Sequence, residues 1–285
     1  MAFTVDASFT QFFDSINLAG EHRVTANGRK DDIVAKLNKD FTIIEAFASG
    51  SIPKYTALKA HADLDVVVVL HYGKHIENKT PTQVLANVRQ SLSQWRTGAR
   101  RNGQAVTLKY VTWPDVDVVP VSRAIDNNGN VTHYNVPDSN TDTWITSKPK
   151  DHSARIETRS GACGPNFRKI IKMIKHWNRR SGDYLQSYHI EVLALTVFNV
   201  DLQDLPWQIL HFFSAARPLL TSTLFYDVGI VDNYLSVADR LQVLSRFDAA
   251  RDKARTAWYE GINNNQREAI GHWRQIFGQD FPAYG

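Results

Sequence analysis

The chain has 285 residues, enough for one large domain or two lobes with their own cores. Its formal net charge of +4 is a mild basic excess, which suits a polyanionic substrate but does not by itself indicate a nucleic-acid surface. Cys163 is the only cysteine, which excludes an intrachain disulfide and a cysteine-based zinc site. No apolar run is long enough to span a bilayer and no secretion signal is evident, so we expect a cytoplasmic protein without a membrane anchor.

The N-terminal region predicts helices. Apolar residues recur at helical spacing from Ala7 to Ala48, and the pattern predicts that the stretch IIEAF continues the second helix. The residues that set this spacing are Ile33, Leu37, Phe41 and Ile44. Gly50 and Ser51 follow immediately, where backbone amides and a hydroxyl could approach phosphate groups.

The middle of the chain predicts a sheet. The run HADLDVVVVLHY is typical of a strand buried on both faces, and Asp63 and Asp65 share one face of it. The run AVTLKYVTWPDVDVVPV predicts two further short strands that bring Asp117 beside them. The segment PTQVLANVRQSLSQWRTG between these runs predicts a helix. Residues 127–130, Asn-Asn-Gly-Asn, predict a hairpin turn.

The three aspartates predict a metal site. Carboxylate oxygens suit Mg²⁺, and two such ions activate a hydroxyl and stabilise a pyrophosphate leaving group. Each aspartate alone could instead end a strand or cap a turn. The joint pattern favours metal, because apolar strands rarely begin with two inward carboxylates unless a cation offsets their repulsion. Asp115 is ambiguous, since it shares a face with Asp117 but follows Pro114 at the start of a strand.

The second half of the chain predicts helices from Asn166 onward, after a polar segment, PDSNTDTWITSKPKDH, that we interpret as a crossover. We therefore expect an α+β protein with two lobes. Residues 1–150 would form a catalytic lobe that includes an N-terminal bridging helix. Residues 151–285 would form a helical lobe, with the active site in the cleft between the two.

Gly50-Ser51, Asp63-x-Asp65 and the later strand-borne Asp117 resemble the nucleotidyltransferase superfamily of DNA polymerase β, poly(A) polymerase and CCA-adding enzymes. Thr56 between the two motifs fits the resemblance, while His61-Ala62 replaces a small hydroxyl residue that often precedes the first aspartate. The resemblance implies a polymerase-β-like catalytic lobe with a mixed sheet. It also implies two Mg²⁺ ions on the aspartates, for which Mn²⁺ can substitute.

Two helical motifs narrow the resemblance to the CD-NTases, which include cyclic GMP-AMP synthase, the oligoadenylate synthases and bacterial relatives. They are Lys175-His-Trp177 and Leu185-Gln-Ser-Tyr-His-Ile-Glu191, and within the group the CdnE type is favoured. By resemblance, Lys175 and Ser187 contact the triphosphate and Tyr188 stacks on a base. From the residues alone, Lys175 could be a surface lysine, Ser187 a helix cap and Tyr188 a core aromatic.

Asn166 is the candidate for base specificity. As an amide it can accept from uracil N3–H and donate to O4, or bind adenine through a donor and acceptor pair. Its other interpretation is an N-cap. In the CdnE group an asparagine near this place accompanies pyrimidine use, which favours UTP as one substrate beside ATP.

The resemblance implies a synthase that joins two nucleoside triphosphates in two successive transfers, with Asp117 helping to deprotonate the attacking hydroxyl. The product would be cyclic UMP-AMP or cyclic di-UMP, acting on a separate effector protein in antiviral defence (CBASS), with no nucleic acid required. One alternative is a non-cyclising nucleotidyltransferase that modifies RNA, a protein or a small molecule. Another is an inactive module that senses nucleotides.

Overall fold

The computed structural model describes residues 3–18, 20 and 22–285. These residues form two compact units, which we call the sheet unit and the helical unit. The sheet unit contains Ala19–Tyr55 and His61–Ser153, and the helical unit contains Met1–Leu18, Thr56–Ala60 and Ala154–Gly285. In the part of the chain described, no helix is both long and apolar enough to cross a membrane. The predicted α+β class with a mixed sheet is confirmed.

The sheet unit carries most of the strands and three helices. Its strands are β1 (Ile43–Ser49), β2 (Leu64–Leu70), β3 (Arg100–Asn102), β4 (Ala105–Leu108), β5 (Val116–Ile125), β6 (Val131–Asp138) and β7 (Thr143–Ser147). Its helices are α2 (His22–Leu37), α3 (Tyr72–His75) and α4 (Pro81–Trp95). Helix α4 confirms the helix predicted for PTQVLANVRQSLSQWRTG. It begins with a capping box in which Thr80 and Gln83 bond reciprocally.

The helical unit contains the remaining elements. They are α1 (Val5–Ile16), α6 (Asn166–Arg180), α7 (Ser187–Val197), α8 (Leu205–Leu219), a short hairpin of β8 (Phe225–Tyr226) and β9 (Gly229–Ile230), α9 (Val237–Ile262) and α10 (Gln266–Phe277). Helix α5 (Pro149–Cys163) begins in the sheet unit and continues in the helical unit.

Five strands of the sheet have the order β1-β2-β5-β4-β3. Strands β2 and β5 are parallel, and β1 and β4 are antiparallel to their neighbours. The ten-residue β5 pairs with β2 and β4 near its start and with β6 from Ser122 onward. The valines of β2 are buried, as expected for a strand covered on both faces.

The prediction that IIEAF is helical is wrong. Helix α2 ends at Leu37, and the stretch from Ile43 to Ser49 is strand β1, paired antiparallel with β2 from Ile43–Leu70 to Ser49–Asp65. A short apolar run of this kind fits a helix or a strand. It forms a strand here because the edge of β2 supplies hydrogen-bond partners for its backbone. Phe41 and Ile44 therefore do not continue the helix that carries Ile33 and Leu37.

The segment interpreted as a crossover is also partly a strand. Residues Thr143–Ser147 form β7, which pairs antiparallel with β6, and Pro149 begins α5. Its threonines and isoleucine favour an extended backbone, and β6 supplies the bonding partners. The predicted hairpin turn before β6 is confirmed, because Asp126 donates its N–H to the carbonyl of Asn130.

The helical unit is built around aromatic side chains. On α1, Phe9 and Phe12 are fully buried, and Phe9 meets Trp273 of α10 edge to face with ring centroids 5.0 Å apart. Trp177 of α6 packs edge to face on Phe213 and Phe247 at 4.8 and 5.1 Å. Helix α1 packs on α6, α8 and α10, which places the N-terminal helix within the helical unit.

Candidate active site

Strands β2 and β5 place two of the predicted aspartates side by side. Asp65 and Asp117 are register partners in the parallel pair, and Leu64 donates its N–H to the Asp115 carbonyl at 2.9 Å to fix that register. Asp63 lies immediately before β2, two residues from Asp65. The sequence therefore predicted correctly that Asp117 would lie on a strand next to Asp65.

Electrostatics at this site favour a cation. Burial, and after it the negative charges of Asp117 and Asp63, raise the pKa of Asp65 to about 6, while the charge of Lys54 opposes the rise. A carboxyl that resists ionisation beside two other carboxyls is a site where added positive charge is stabilising. Lys54 is buried and was not identified from the sequence.

Position 50 requires a glycine, because a side chain there would collide with Asp65. Its φ is +72°, in the left-handed region, and a Cβ built on it would lie 1.7 Å from Asp65 Oδ2. No other residue fits at this position without moving the carboxylate. Gly50 and Ser51 begin a turn that continues to Tyr55, directly after β1. Gly50 of the predicted Gly-Ser pair thus lies against Asp65, although a strand rather than a helix leads into the pair.

A hydroxyl on the neighbouring strand orients Asp117. Thr107 of β4 is its register partner, and the Thr107 hydroxyl donates to Asp117 Oδ1. Thr107 was not predicted from the sequence. Its signal was weak, because a threonine in a strand has many ordinary roles and only the pairing of β4 with β5 shows which residue it faces.

The residues of the second predicted motif lie in the helical unit. Lys175 is 3% exposed, so the alternative of a surface lysine is excluded. Its ammonium donates to Glu191 Oε1 at 2.7 Å and to the Oγ1 and carbonyl oxygen of Thr56 at 3.1 and 3.3 Å. Ser187 is the first residue of α7, and the cap position belongs to Gln186. The interpretation of Ser187 as a cap is therefore wrong by one residue.

Tyr188 has the exposure expected of a stacking platform. Its side chain is 39% exposed, and its ring lies 6.4 Å from that of Tyr226 on the β8–β9 hairpin in an edge-to-face arrangement. The Arg155 guanidinium lies over the Tyr226 ring at 5.1 Å. Burial and then the neighbouring Tyr226 raise the pKa of Tyr188 to about 12, so its phenol is neutral. Tyr226 and Arg155 were not identified from the sequence.

Asn166, the candidate for base specificity, lies at the start of α6. It is the first residue of α6, with Pro165 at the cap position, so the N-cap interpretation is wrong. Its amide nitrogen donates to the carbonyls of Leu202 and Gln203 at 2.7 and 3.3 Å. Asn166 also lines a cavity of about 910 Å³ in the helical unit, whose other lining residues include aromatic side chains of α1, α9 and α10.

A comparison with protein families identifies the chain. Residues 3–159, more than half of its length, match the family model of the Second Messenger Oligonucleotide or Dinucleotide Synthetase domain. The chain belongs to this family, and it is a nucleotidyltransferase of the CD-NTase group. The prediction of a CD-NTase enzyme is therefore confirmed.

Full-length relatives and solved structures agree with this assignment. A CBASS oligonucleotide cyclase, CdnC, of Escherichia coli strain KTE188 is 26% identical, with 96% of each chain covered. A cyclic AMP-AMP-AMP synthase of Acinetobacter sp. strain ATCC 27244 / 9458 is 22% identical, covering 87% of this chain and 76% of the relative. The structure of CdnC with ATP from E. coli MS115-1 matches the fold with a TM-score of 0.78, at 19% identity, over 97% of this chain and 98% of that one.

The fold of the predicted CdnE type is also similar. The Rhodothermus marinus CdnE c-UMP-AMP synthase has a TM-score of 0.58 and 17% identity over 85% of this chain and 94% of that one. A likeness at this identity supports the shared fold and leaves the CdnE group a prediction.

Proposed function

We propose that this protein makes a cyclic oligonucleotide second messenger from nucleoside triphosphates. The observation that carries the proposal is the parallel register that sets Asp65 beside Asp117, with Gly50 closed against Asp65. In each transfer a ribose hydroxyl attacks the α-phosphorus of a nucleotide, the α–β phosphoanhydride bond breaks, and pyrophosphate leaves. The last transfer joins the two ends of the linear intermediate.

Two divalent cations, Mg²⁺ or Mn²⁺, are proposed at Asp63, Asp65 and Asp117. The raised pKa of Asp65 and the glycine cradle fit a cation here. Within the described residues, no three His, Cys, Asp or Glu side chains already form a complete ligand set. Mg²⁺ does not need one, since one or two carboxylates suffice when water and substrate phosphates complete its octahedral shell. When bound, the ions would neutralise developing charge on the phosphates.

The remaining residues have positioning roles in this proposal. Thr107 holds one oxygen of Asp117, which leaves the other oxygen available for the attacking hydroxyl or for an ion. Backbone amides and the hydroxyl at Gly50 and Ser51 receive the phosphates. The half-buried ring of Tyr188 stacks on a base, with Tyr226 as its neighbour.

ATP is the first-choice substrate, because full-length relatives carry the names CdnC and cyclic AMP-AMP-AMP synthase. The prediction that UTP is a substrate, with cyclic UMP-AMP or cyclic di-UMP as product, depends on Asn166. The Asn166 amide nitrogen donates to the carbonyls of Leu202 and Gln203 within the protein, which removes a donor from the proposed uracil contact. We therefore propose ATP rather than UTP as the main substrate. We also propose that the product acts on a separate effector protein.

The test is synthesis with each of the four nucleotides labelled in turn at the α-phosphate, with Mg²⁺, followed by phosphatase, chromatography and mass spectrometry. A labelled product that resists phosphatase supports cyclisation, its labels identify the bases, and its mass separates a dinucleotide from a trinucleotide. The Asp63→Asn/Asp65→Asn double variant is the control and should make none. Label found only as phosphate, or in a linear product, would favour the non-cyclising alternative.

A further inference from the structure

Side chains from elsewhere in the helical unit hold the start of α7. Ser187 and Tyr188, its first two residues, are the predicted contacts for the triphosphate and a base. Asn178 of α6 binds both backbone groups of Leu185. Its amide nitrogen donates to the Leu185 carbonyl at 2.8 Å, and its carbonyl oxygen accepts from the Leu185 N–H at 3.0 Å. The chain is therefore fixed two residues before the helix begins.

Tyr234 holds the next residue, Gln186, which occupies the cap position of α7. The Gln186 N–H donates to the Tyr234 hydroxyl at 2.9 Å. The Gln186 carbonyl accepts from the N–H of Ile190 at 3.2 Å, within the first turn of the helix. Gln186 is thus bonded through both backbone groups, one to Tyr234 and one to α7.

The Tyr234 hydroxyl also contacts α7 itself. It lies 2.9 Å from Nδ1 of His189, a side chain that is 1% exposed. Burial lowers the pKa of His189 to about 4 and raises the pKa of Tyr234 to about 12, so both side chains are neutral at pH 7. A neutral hydroxyl can accept from the Gln186 N–H and donate its own proton to the imidazole. One oxygen atom therefore bridges the cap residue and the first turn of α7.

The segment that carries Tyr234 is itself anchored. Asp232, two residues earlier, is buried and accepts from the Arg240 guanidinium of α9 at 2.7 Å. The same carboxylate accepts from the Leu224 N–H, before the β8–β9 hairpin, at 3.2 Å. The Asp232 carbonyl accepts from the Leu235 N–H at 3.1 Å and closes a turn that contains Tyr234. The tyrosine therefore extends from a fixed segment, which lets its hydroxyl fix α7.

We propose that Tyr234 is a positioning residue for the nucleotide: its hydroxyl sets the first turn of α7 and so places Ser187 for the triphosphate and Tyr188 for the base. This inference rests on the proposed function and adds to it a residue that acts through α7. The stacking ring is attached at residue 188, between the two residues that the hydroxyl binds, Gln186 and His189. Without the hydroxyl the ring would still be present, but the turn that carries it would be free to shift.

The decisive variant is Tyr234→Phe, which keeps the ring and removes only the hydroxyl. The probe is the α,β-methylene triphosphate of 2-aminopurine riboside with Mg²⁺, a fluorescent adenosine analogue that cannot release pyrophosphate. A titration gives its Kd, and stacking on an aromatic ring quenches its fluorescence at saturation. We expect the affinity to fall about three- to thirtyfold, the range for leaving a backbone N–H and an imidazole without their partner. The quenching should fall towards that of Tyr188→Ala, whereas a loss of stability alone would lower the Tm and leave both values unchanged.

Two variants at residue 189 separate positioning from the simple loss of a buried bond. His189→Leu keeps the bond between Gln186 and Tyr234, so it should bind the probe within about threefold of wild type. Tyr234→Phe/His189→Leu replaces the buried hydroxyl and imidazole together, so it should regain stability if Tyr234→Phe folds poorly. It should still bind as weakly as Tyr234→Phe, because the Gln186 N–H has lost its acceptor. Wild-type affinity in this double variant would overturn the proposal.

Hydrogen exchange tests the same claim without a nucleotide. In Tyr234→Phe the peptide that contains residues 186–190 should exchange at least about threefold faster than in wild type, while α10 exchanges as before. The matched control is Tyr259→Phe, which removes a hydroxyl from an exposed tyrosine of α9. It should equal wild type in exchange, affinity and quenching. Unchanged exchange at residues 186–190 in Tyr234→Phe would show that the hydroxyl does not set this turn.

Failure of the proposed function gives a different result. Wild-type protein that binds the probe but makes no product from nucleoside triphosphates would count against the proposed function, and the variants would still decide the role of Tyr234. Wild-type protein that does not bind the probe would contradict both.

Discussion

Replacing Asp65 with asparagine should stabilise the protein while abolishing its activity. Burial and the neighbouring Asp117 and Asp63 raise the pKa of Asp65 from an ordinary value of 3.8 to about 6. The folded state therefore holds this proton more tightly than the unfolded chain does, and folding stability falls as the pH rises from about 4 to about 6. Asparagine is close to aspartate in size, carries no charge, and removes this loss.

The magnitude follows from the change in pKa. Each pKa unit is worth about 1.4 kcal/mol, so a rise of roughly two units corresponds to an upper bound of about 3 kcal/mol. Because the Asp65 carboxyl keeps some hydration, we expect a gain in the free energy of unfolding of about 1–2 kcal/mol at pH 8. For a chain of this size that is an increase in Tm of about 2–8 °C.

The assay is thermal unfolding without divalent cations at pH 4, 6 and 8. The Tm advantage of Asp65→Asn should be near zero at pH 4 and largest at pH 8, and Mg²⁺ should raise the Tm of the wild type more than that of the variant. A variant less stable than wild type at pH 8, or equally stabilised at every pH, would show that the repulsion argument is wrong.

Asp115→Asn is the matched control. It also removes a carboxylate, but we expect it to lower the stability of the protein instead of raising it. Burial alone would raise the pKa of Asp115, but bonds from the Lys109 ammonium and the Tyr110 N–H outweigh burial and hold the pKa below its ordinary value. This carboxylate stabilises the fold once the pH exceeds its unfolded pKa. Asp115→Asn should therefore lower the Tm at pH 8 and leave it nearly unchanged at low pH.

Three further substitutions test the site. Gly50→Ala should reduce synthesis at least about a hundredfold, because its Cβ would displace the Asp65 carboxylate; product formation approaching that of wild type would contradict this. Thr107→Val should lower kcat about ten- to a hundredfold with little change in nucleotide KM, since it leaves Asp117 without its orienting bond; a change confined to KM would argue against that role. Tyr188→Ala should raise nucleotide KM about five- to a hundredfold while Tyr188→Phe keeps the wild-type value, because stacking needs the ring and not the hydroxyl. Equal losses in both Tyr188 variants would refute stacking.

The catalytic carboxylates could be predicted from the sequence because their geometry is local. Alternation in a strand places Asp63 and Asp65 on one face, and a second valine-rich run indicates the neighbouring strand that carries Asp117. The strand β1 could not be assigned, because the run IIEAF has apolar residues at a spacing that fits a helix or a strand. The run forms a strand because it pairs with the edge of β2, and the local sequence does not show that edge.

The surroundings of Lys175 were beyond sequence reasoning for another reason. The helical spacing of KIIKMIKHW suggests apolar and solvated faces, and it is silent about which lysine is met by a buried carboxylate. The partners are Glu191 on the next helix and Thr56, which lies far away in sequence. Asn166 shows the same limit, since its hydrogen-bond acceptors, Leu202 and Gln203, belong to a loop that no pattern connects to it.

The pairing of β5 has a consequence for folding fidelity. A slip of one residue between β2 and β5 would turn Asp117 to the opposite face and put a valine beside Asp65, giving a compact protein with no active centre. The activity of the protein therefore depends on the relative register of two strands as well as on the residues that they carry.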